Sequence, residues 1–307
     1  MCKQIKVISL SISEERKGPK KEVESVNIDN LGIVGDSHSG LWHRQISMLT
    51  LDAIKKEEVK RGIKISPGAC AENIVVDGIK DNDIYLFDEI EIGDVRLEVT
   101  QFGKKDDIDP SRFGIIPLLP KYGIFLRVKT QGKIEKGMHV KLLPKLFKIK
   151  IITLSDRAHA GEYEDKSGPL IKDQLDSFFD GKRFRHNISL KIIPDSKERL
   201  ILELEESKMN DYSCVFTTGS TGIGPRDIAP DVVLSFCDKI IPGVMDSIRI
   251  KFGLENPNAL LSRSVCGIKE DMPIFALPGS PKAVKEYMEE ILKLFEHLIL
   301  MAKGIGH

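Results

Sequence analysis

Residues 214–231, CVFTTGSTGIGPRDIAPD, run from an apolar segment through three glycines and four short hydroxyl side chains into a segment with two aspartates and two prolines. Cys214-Val215-Phe216 reads as a buried strand. Pro230 marks the first turn of a following helix, where the missing proline N–H leaves nothing unpaired. The same order of strand, polar loop and helix recurs on both sides. KIKIITLS (148–155) is a strand, and Gly168-Pro169 opens a helix running through Phe179. ISLKIIPD (188–195) is a second strand, followed by a helix from Ser196 to about Met209. IFALPG (274–279) is the last, with Ser280 ahead of a helix from Pro281 to about Met301. This rhythm predicts an α/β three-layer domain with a mostly parallel sheet. Such sheets bind ligands at the carboxyl ends of their strands, where the glycine loop falls.

Upstream the period is two. Ile90, Ile92, Val95, Leu97 and Val99 alternate with charged residues across a turn at Gly93-Asp94. Ile124, Leu126 and Val128, then Met138, Val140 and Leu142, repeat the alternation, and a helix-like segment spans roughly Leu49 to Arg61. Short strands with glycine turns predict a β-rich barrel. The boundary falls in LLPKLFK, giving domains 1–146 and 147–307, as a length of 307 residues suggests.

Lys+Arg and Asp+Glu both total 46, so the formal net charge is zero and a nucleic-acid partner is not expected. No apolar run reaches the roughly 18 residues of a membrane span, and the N-terminal residues lack a signal-peptide core. The five cysteines are scattered and never spaced CxxC, which argues against a disulfide framework or a zinc site and favours a reducing cytoplasm.

The loop residues carry the chemistry. Glycines let backbone N–H groups approach an anion, and Thr217, Thr218, Ser220 and Thr221 add hydroxyl donors, so a phosphorylated ligand is expected. The loop is neither a Walker loop nor GxGxxG. A plain glycine turn is the alternative. Asp227 suits a divalent cation or a nucleophile-orienting role, against a solvated loop acid. Asp195 reads first as a helix cap, with Glu198 three residues on. SDRAHAGEYEDKSGP (155–169) and LPGSPK (277–282) are two more polar strand ends on the same edge, the latter a helix N-terminus able to hold an anion.

Taken in order, SDRAHAGEYEDKSGP, IIPD, TTGSTGIGPRDIAPD, LSRSVCGI and LPGSPKAVKE resemble the molybdopterin adenylyltransferase family, over about residues 148–302. The resemblance implies joining a molybdopterin phosphate to the AMP part of ATP with Mg²⁺, in a homotrimer or higher oligomer. It implies Asp195 and Asp227 as catalytic residues and Mg²⁺ ligands. It makes Ser155, Asp156, Arg157, Thr218, Gly219, Ser220, Thr221, Gly222, Ser262, Pro278, Gly279, Ser280 and Lys282 the substrate-binding candidates. The family loop is commonly TTGGTG, so Ser220 replaces a glycine. If positive φ is needed there, serine is strained; otherwise its hydroxyl is a further ligand contact.

The first half resembles a MOSC domain, through VGDSHSGLWHRQISMLT, PGACAENIVVDGI, LEVTQFGKK and GIFLRVKTQGKIEKG. That resemblance implies a barrel binding pterin or the finished cofactor, with His43, Arg44, Asn73 and Lys104 as ligand candidates. A packed, hydrogen-bonded role for His43 and solvated roles for Arg44 and Lys104 are the alternatives. Asp106 and Asp107 stand where relatives carry a cysteine, which disfavours sulfur transfer. Two functions stay open: an adenylyltransferase, with molybdenum insertion enzymes as downstream partners, and a non-catalytic molybdopterin or cofactor carrier. Molybdenum and tungsten both remain open as the eventual metal.

Overall fold

The computed structural model describes residues 4–15, 18–104, 111 and 114–306. By their internal contacts these form two units. One runs up to Lys145 and includes Arg183–Arg185; the other comprises Leu146–Lys182 and His186–Gly306.

In the first unit the period-two segments are strands with their apolar residues turned inward. They are β1 (Ile5–Ile12), β2 (Lys21–Val23), β3 (Ser25–Asp29), β4 (Gly32–Ile33), β5 (Ile46–Thr50), β6 (Ile74–Asp77), β7 (Glu89–Ile92), β8 (Val95–Phe102), β9 (Ile124–Thr130), β10 (Gly132–Glu135) and β11 (His139–Leu143). One sheet runs in the order β11-β7-β8-β9-β5-β6-β1-β2, and β11 pairs back onto β1 with Ile5 opposite Val140. The result is a closed barrel of seven strands with β2 attached outside the ring. Closure removes the exposed edges that an open sheet would present. Strands β10, β3 and β4 form a small separate sheet. Ile90, Ile92, Val95, Leu97 and Val99 are all at most 2% exposed. Helix α1 (Leu51–Arg61) starts at Thr50, whose hydroxyl accepts from Ala53 N, and stops at Gly62 in the left-handed region. A short helix, α2, covers Leu119–Tyr122.

The second unit contains β12 (Phe147–Leu154), α3 (Asp156–His159), α4 (Ser167–Phe179), β13 (His186–Ile193), α5 (Lys197–Met209), β14 (Cys214–Thr218), α6 (Ala229–Phe236), β15 (Lys239–Ile240), α7 (Pro242–Gly253), β16 (Val265–Lys269), β17 (Met272–Leu277) and α8 (Pro281–Ala302). The sheet order is β13-β12-β14-β17-β16-β15. The first four strands are parallel, but β16 runs antiparallel to β17 and β15 antiparallel to β16. The sheet is therefore mixed, not mostly parallel as the strand–helix rhythm suggests. The departure comes from a hairpin whose two-residue turn, Glu270-Asp271, joins the paired Lys269 and Met272. Glu270 takes φ +55° there without the Asn-Gly or Asp-Gly pair that would announce such a turn.

Apolar side chains pack both faces of this sheet. Phe216 and Phe275 stack at 4.8 Å, and Phe295 of α8 lies 5.7 Å and 6.1 Å from them. Val284, Met288, Ile291, Phe295 and Ile299 bury one stripe of α8 at helical spacing. Leu200 and Leu204 of α5 and Val232 and Val233 of α6 pack with Ile152, Leu154, Val215 and Ile274 in a second cluster. These two packings make the three layers. Among the described residues no helix is long and apolar enough to cross a membrane.

Candidate active site

Register alone lines up four loops. Leu154 pairs with Ile193, Thr153 with Thr218, and Thr218 with Leu277, all between parallel strands. The chain leaves each strand on the same edge of the sheet, so Asp195, Ser155, Gly219 and Pro278 follow one another along it.

The glycine loop leaves β14 by a left-handed step. Gly219 has φ +97°, and a Cβ there would lie 2.4 Å from the Leu154 carbonyl oxygen, so only glycine fits. Gly219 N donates to Leu277 O at 3.1 Å, and Thr218 Oγ1 donates to Pro278 O at 2.7 Å. Ser167 Oγ donates to Gly279 O at 2.8 Å from the start of α4. Ser220 takes φ +55°. Its Oγ donates to Arg226 O at 2.8 Å and accepts from Ile228 N at 2.9 Å. The expected backbone strain at Ser220 is present, but the hydroxyl closes its own loop and does not serve as an extra ligand contact. Thr218 likewise spends its hydroxyl on the protein, and Thr217 is fully buried, its Oγ1 without a partner. The donors left to an anion are backbone N–H groups and the Thr221 hydroxyl. Among the described residues, no protein acceptor takes the N–H groups of Ser220, Thr221, Gly222 and Ile223. Successive free N–H groups in a turn are what an anion-binding nest is built from.

Asp227 closes this loop. Its Oδ2 accepts from Gly224 N at 2.8 Å, and a Cβ on Gly222 would lie 2.7 Å from the same oxygen. Across the edge, Asp156 and Asp195 exchange bonds. Asp156 N donates to Asp195 Oδ2 at 3.2 Å, and Asp195 N donates to Asp156 Oδ1 at 3.0 Å. Arg226 reaches Asp156 Oδ2 at 3.3 Å. Burial first, with repulsion from Asp156 and Asp227, raises the Asp195 carboxyl above its ordinary value, against the hydrogen bond from Asp156 N and the attraction of Arg226. The three acids thus share one field. The cap of α5 is Ser196, whose side chain accepts from Arg199 N. Asp195 is not that cap, which removes the structural reading that its sequence position favoured.

The remaining candidates divide. Pro278, Ser280, Lys282 and Ser262 line a cavity of about 410 Å³ with Asn256, Asn258 and Tyr287. Tyr287 is 2% exposed and its hydroxyl has no protein partner. Asp195 and Asp227 are not among the residues lining this cavity. Ser280 Oγ caps α8 by accepting from Ala283 N, and Ser155 Oγ caps α3 by accepting from Ala158 N. Arg157 lies over the Tyr163 ring at 5.6 Å. Two important residues were not singled out from sequence. Asp165 Oδ1 accepts from Ser167 N and Gly168 N at the start of α4, while its Oδ2 takes the Thr153 hydroxyl. Arg263 bonds the glycine loop itself.

A family model described as "Probable molybdopterin binding domain" matches residues 150–297, and a MOSC domain model matches residues 35–103. A molybdopterin adenylyltransferase of Helicobacter pylori is 35% identical over 159 residues, covering 51% of this chain and 88% of that protein. One from Pyrococcus furiosus is 35% identical over 170 residues, covering 54% and 96%. The chain belongs to the molybdopterin adenylyltransferase family. That membership rests on the second half; the first carries the MOSC domain. A solved structure titled as the tungsten cofactor synthesizing protein MoaB from Pyrococcus furiosus aligns with 52% of this chain and 99% of that chain, at 35% identity and TM-score 0.46.

The barrel holds a buried polar cluster of its own. Lys20 Nζ lies 2.7 Å from Asp36 Oδ2, both side chains 1% exposed. Burial alone would raise the Asp36 carboxyl, but bonds with His38 and Lys20 outweigh it and bring the net shift downward. Asn73 Oδ1 accepts from Ser47 N and Oγ, and its Nδ2 donates to Ser11 O and Asp36 Oδ2. The amide is saturated, so Asn73 holds the barrel together and is withdrawn as a ligand candidate. His43 is 7% exposed and pairs through Nε2 with Gln101 Oε1 at 3.0 Å, while Nδ1 has no partner. Arg44 stacks over Trp42 at 4.9 Å, its Nε unpartnered. Lys104 is half-buried and close enough to Lys20 to repel it. Asp106 and Asp107 lie outside the described residues. Cys70 is buried, and burial followed by Glu72 pushes its thiol up to about 12.

Proposed function

We propose that residues 147–307 join the terminal phosphate of molybdopterin to the α-phosphorus of ATP, releasing pyrophosphate, at the row of loops ending β12, β13, β14 and β17. The observation that carries this reading is the nest of unpaired amides at Ser220–Ile223 with the Asp227 carboxylate packed against it at Gly222. An anion in the nest lies beside a carboxylate, an arrangement that calls for a cation between them. Among the described residues no three His, Cys, Asp or Glu side chains are grouped to hold a metal. Mg²⁺ needs no such group, since it takes one or two carboxylates and completes its shell with phosphate oxygens and water. Asp195 and Asp227 each spend Oδ2 on a backbone N–H, leaving Oδ1 as a hard donor. These residues fit the ion, which when bound supplies charge neutralisation between the phosphates. The nest holds one phosphate, Asp227 fixes its neighbour, and the pair Asp156–Asp195 sets the opposite wall.

The cavity beside the α8 N-terminus takes the pterin ring in this reading. Asn256, Asn258 and the Tyr287 hydroxyl offer the donors and acceptors that a pterin edge requires, and Lys282 adds a positive charge to the lining. The barrel, residues 1–146, binds pterin or the finished cofactor through His43, Arg44 and Lys104. The protein works in the cytoplasm. The second domain assembles as a homotrimer or higher oligomer, which light scattering on residues 147–307 tests; a strict monomer at micromolar concentration counts against it.

Asp227→Asn should lower single-turnover adenylylation by on the order of 10²-fold, as for loss of one preorganised electrostatic group, with pterin affinity retained. Pyrophosphate should appear from ATP only when molybdopterin is present. Wild-type turnover by Asp227→Asn would reject the catalytic assignment of Asp227, whereas no pyrophosphate from the unmodified chain with ATP and molybdopterin would favour the carrier.

A further inference from the structure

We infer that Arg263 is a positioning residue for adenylylation: its guanidinium fixes the backbone of the loop that carries Asp227 and the anion nest. The inference rests on the function proposed above. Arg263 lies in the connection between the 3₁₀ turn Pro257–Leu261 and β16. Its Nε donates to Gly222 O at 2.8 Å and its Nη2 to Asp227 O at 2.5 Å. Its Nη1 donates to both carboxylate oxygens of Asp231, at 3.0 Å and 3.1 Å, and its own N donates to Thr221 O at 3.0 Å.

These contacts fall at both ends of the functional segment. Thr221 and Gly222 belong to the nest, Asp227 is the acid beside it, and Asp231 stands in the first turn of α6. One planar fork therefore sets the spacing between the amides that would hold one phosphate and the carboxylate that would face the other. The residues from Gly219 to Ile228 have no helix or strand of their own to set that spacing.

Arg263 is itself held. Arg249 of α7 donates through Nη1 to Ser264 O at 2.8 Å and to Ser262 O at 3.3 Å, gripping the carbonyls on either side. Both arginines border a recess of about 320 Å³ that Ser262, Ser264 and apolar residues such as Leu234 and Met245 also line. The line α7, Arg249, Arg263, glycine loop ties a packed helix to the catalytic segment. A surface ion pair with Asp231 alone would contribute little. The carbonyls of Gly222 and Asp227 give Arg263 its role, because they need two donors from one rigid plane. Lysine offers a single point charge and cannot replace that fork.

The test is a double-mutant cycle on the full chain, with single-turnover adenylylation as the readout, alongside hydrogen exchange of the amides from Ser220 to Ile228. Arg263→Lys should slow the chemical step by on the order of 10²-fold, the consequence of about 1 Å of misplacement, and the loop amides should exchange faster. In the Asp227→Asn background the same change should add little, because both act through one carboxylate. Independent losses that multiply, or a lysine variant at wild-type rate with unchanged loop exchange, would overturn the inference. If Asp227→Asn is silent while Arg263→Lys is slow, the Asp227 assignment fails and Arg263 acts through the nest instead. If both are silent, both fail.

Discussion

Replacing Ser220 by alanine and by glycine separates its hydroxyl from its backbone. At φ +55° the residue sits in the left-handed region, which disfavours a residue with a Cβ by about 1–2 kcal/mol. Its Oγ makes two hydrogen bonds, to Arg226 O and from Ile228 N. Each is worth about 0.5–1.5 kcal/mol net, with the lower half of that range appropriate for a partly exposed loop. Ser220→Ala keeps the strain and loses both bonds, so it should destabilise the domain by about 1–2 kcal/mol. Ser220→Gly loses the same bonds and is relieved of the strain, while its looser unfolded chain takes back about 0.4–1 kcal/mol. Glycine should therefore end about 0.5–1 kcal/mol above alanine, which is roughly 1–4 °C in Tm for a domain of this size. Thermal unfolding of both variants in the full chain measures the difference. A glycine variant melting at or below the alanine variant would refute the strain argument, and two variants melting as wild type would refute the hydroxyl's part. Adenylylation should fall in both, since either change frees the chain between Arg226 and Ile228 beside Asp227.

Other expectations follow from the charged groups. The Asp195 carboxyl is raised by burial and by its acidic neighbours, so its contribution favours folding below its unfolded value and is lost as pH rises through the folded one. Asp195→Asn should thus melt at or slightly above wild type at pH 7 while adenylylating poorly; a clear loss of Tm at that pH would contradict this. In the barrel, Asp36→Ala strands the buried Lys20 ammonium and should destabilise by about 3–5 kcal/mol. The paired change Lys20→Met with Asp36→Asn, which keeps an acceptor for Asn73 and the Ser13 and His38 amides, should recover part of that in urea unfolding, and no recovery would argue against the ion pair as the cause. Cys70, with its thiol pushed up to about 12, is almost wholly protonated near pH 8 and should form no transferable persulfide with a cysteine desulfurase. Stoichiometric persulfide on Cys70 by mass spectrometry, passed on to a cofactor, would reverse that expectation.

The sequence by itself determined the elements whose pattern is local. Alternation at Ile90–Val99 had only one arrangement that buries its apolar side, and the structure buries those five residues completely or nearly so. Strand, glycine loop and helix around Cys214–Asp231 likewise follow from short-range periodicity and turn residues, as does the helix stripe from Val284 to Ile299. The loop's chemistry was legible only as residue types. Whether Thr218 and Ser220 faced a ligand or their own chain depended on carbonyls at Pro278 and Arg226, and no local pattern encodes such a choice. Asp195 and Ser196 are both good caps, and only the contact of Asp195 with Asp156, 39 residues away, left the cap to Ser196. The mixed sheet turned on a hairpin at Glu270-Asp271 that carries no glycine or asparagine, so its strand direction was set by pairing with β17. Arg263 gathers carbonyls 36 and 41 residues away. Hydrogen bonds of that span form between backbone groups that every residue possesses, so the tertiary fold, not the residue's own neighbourhood, decides which of them meet.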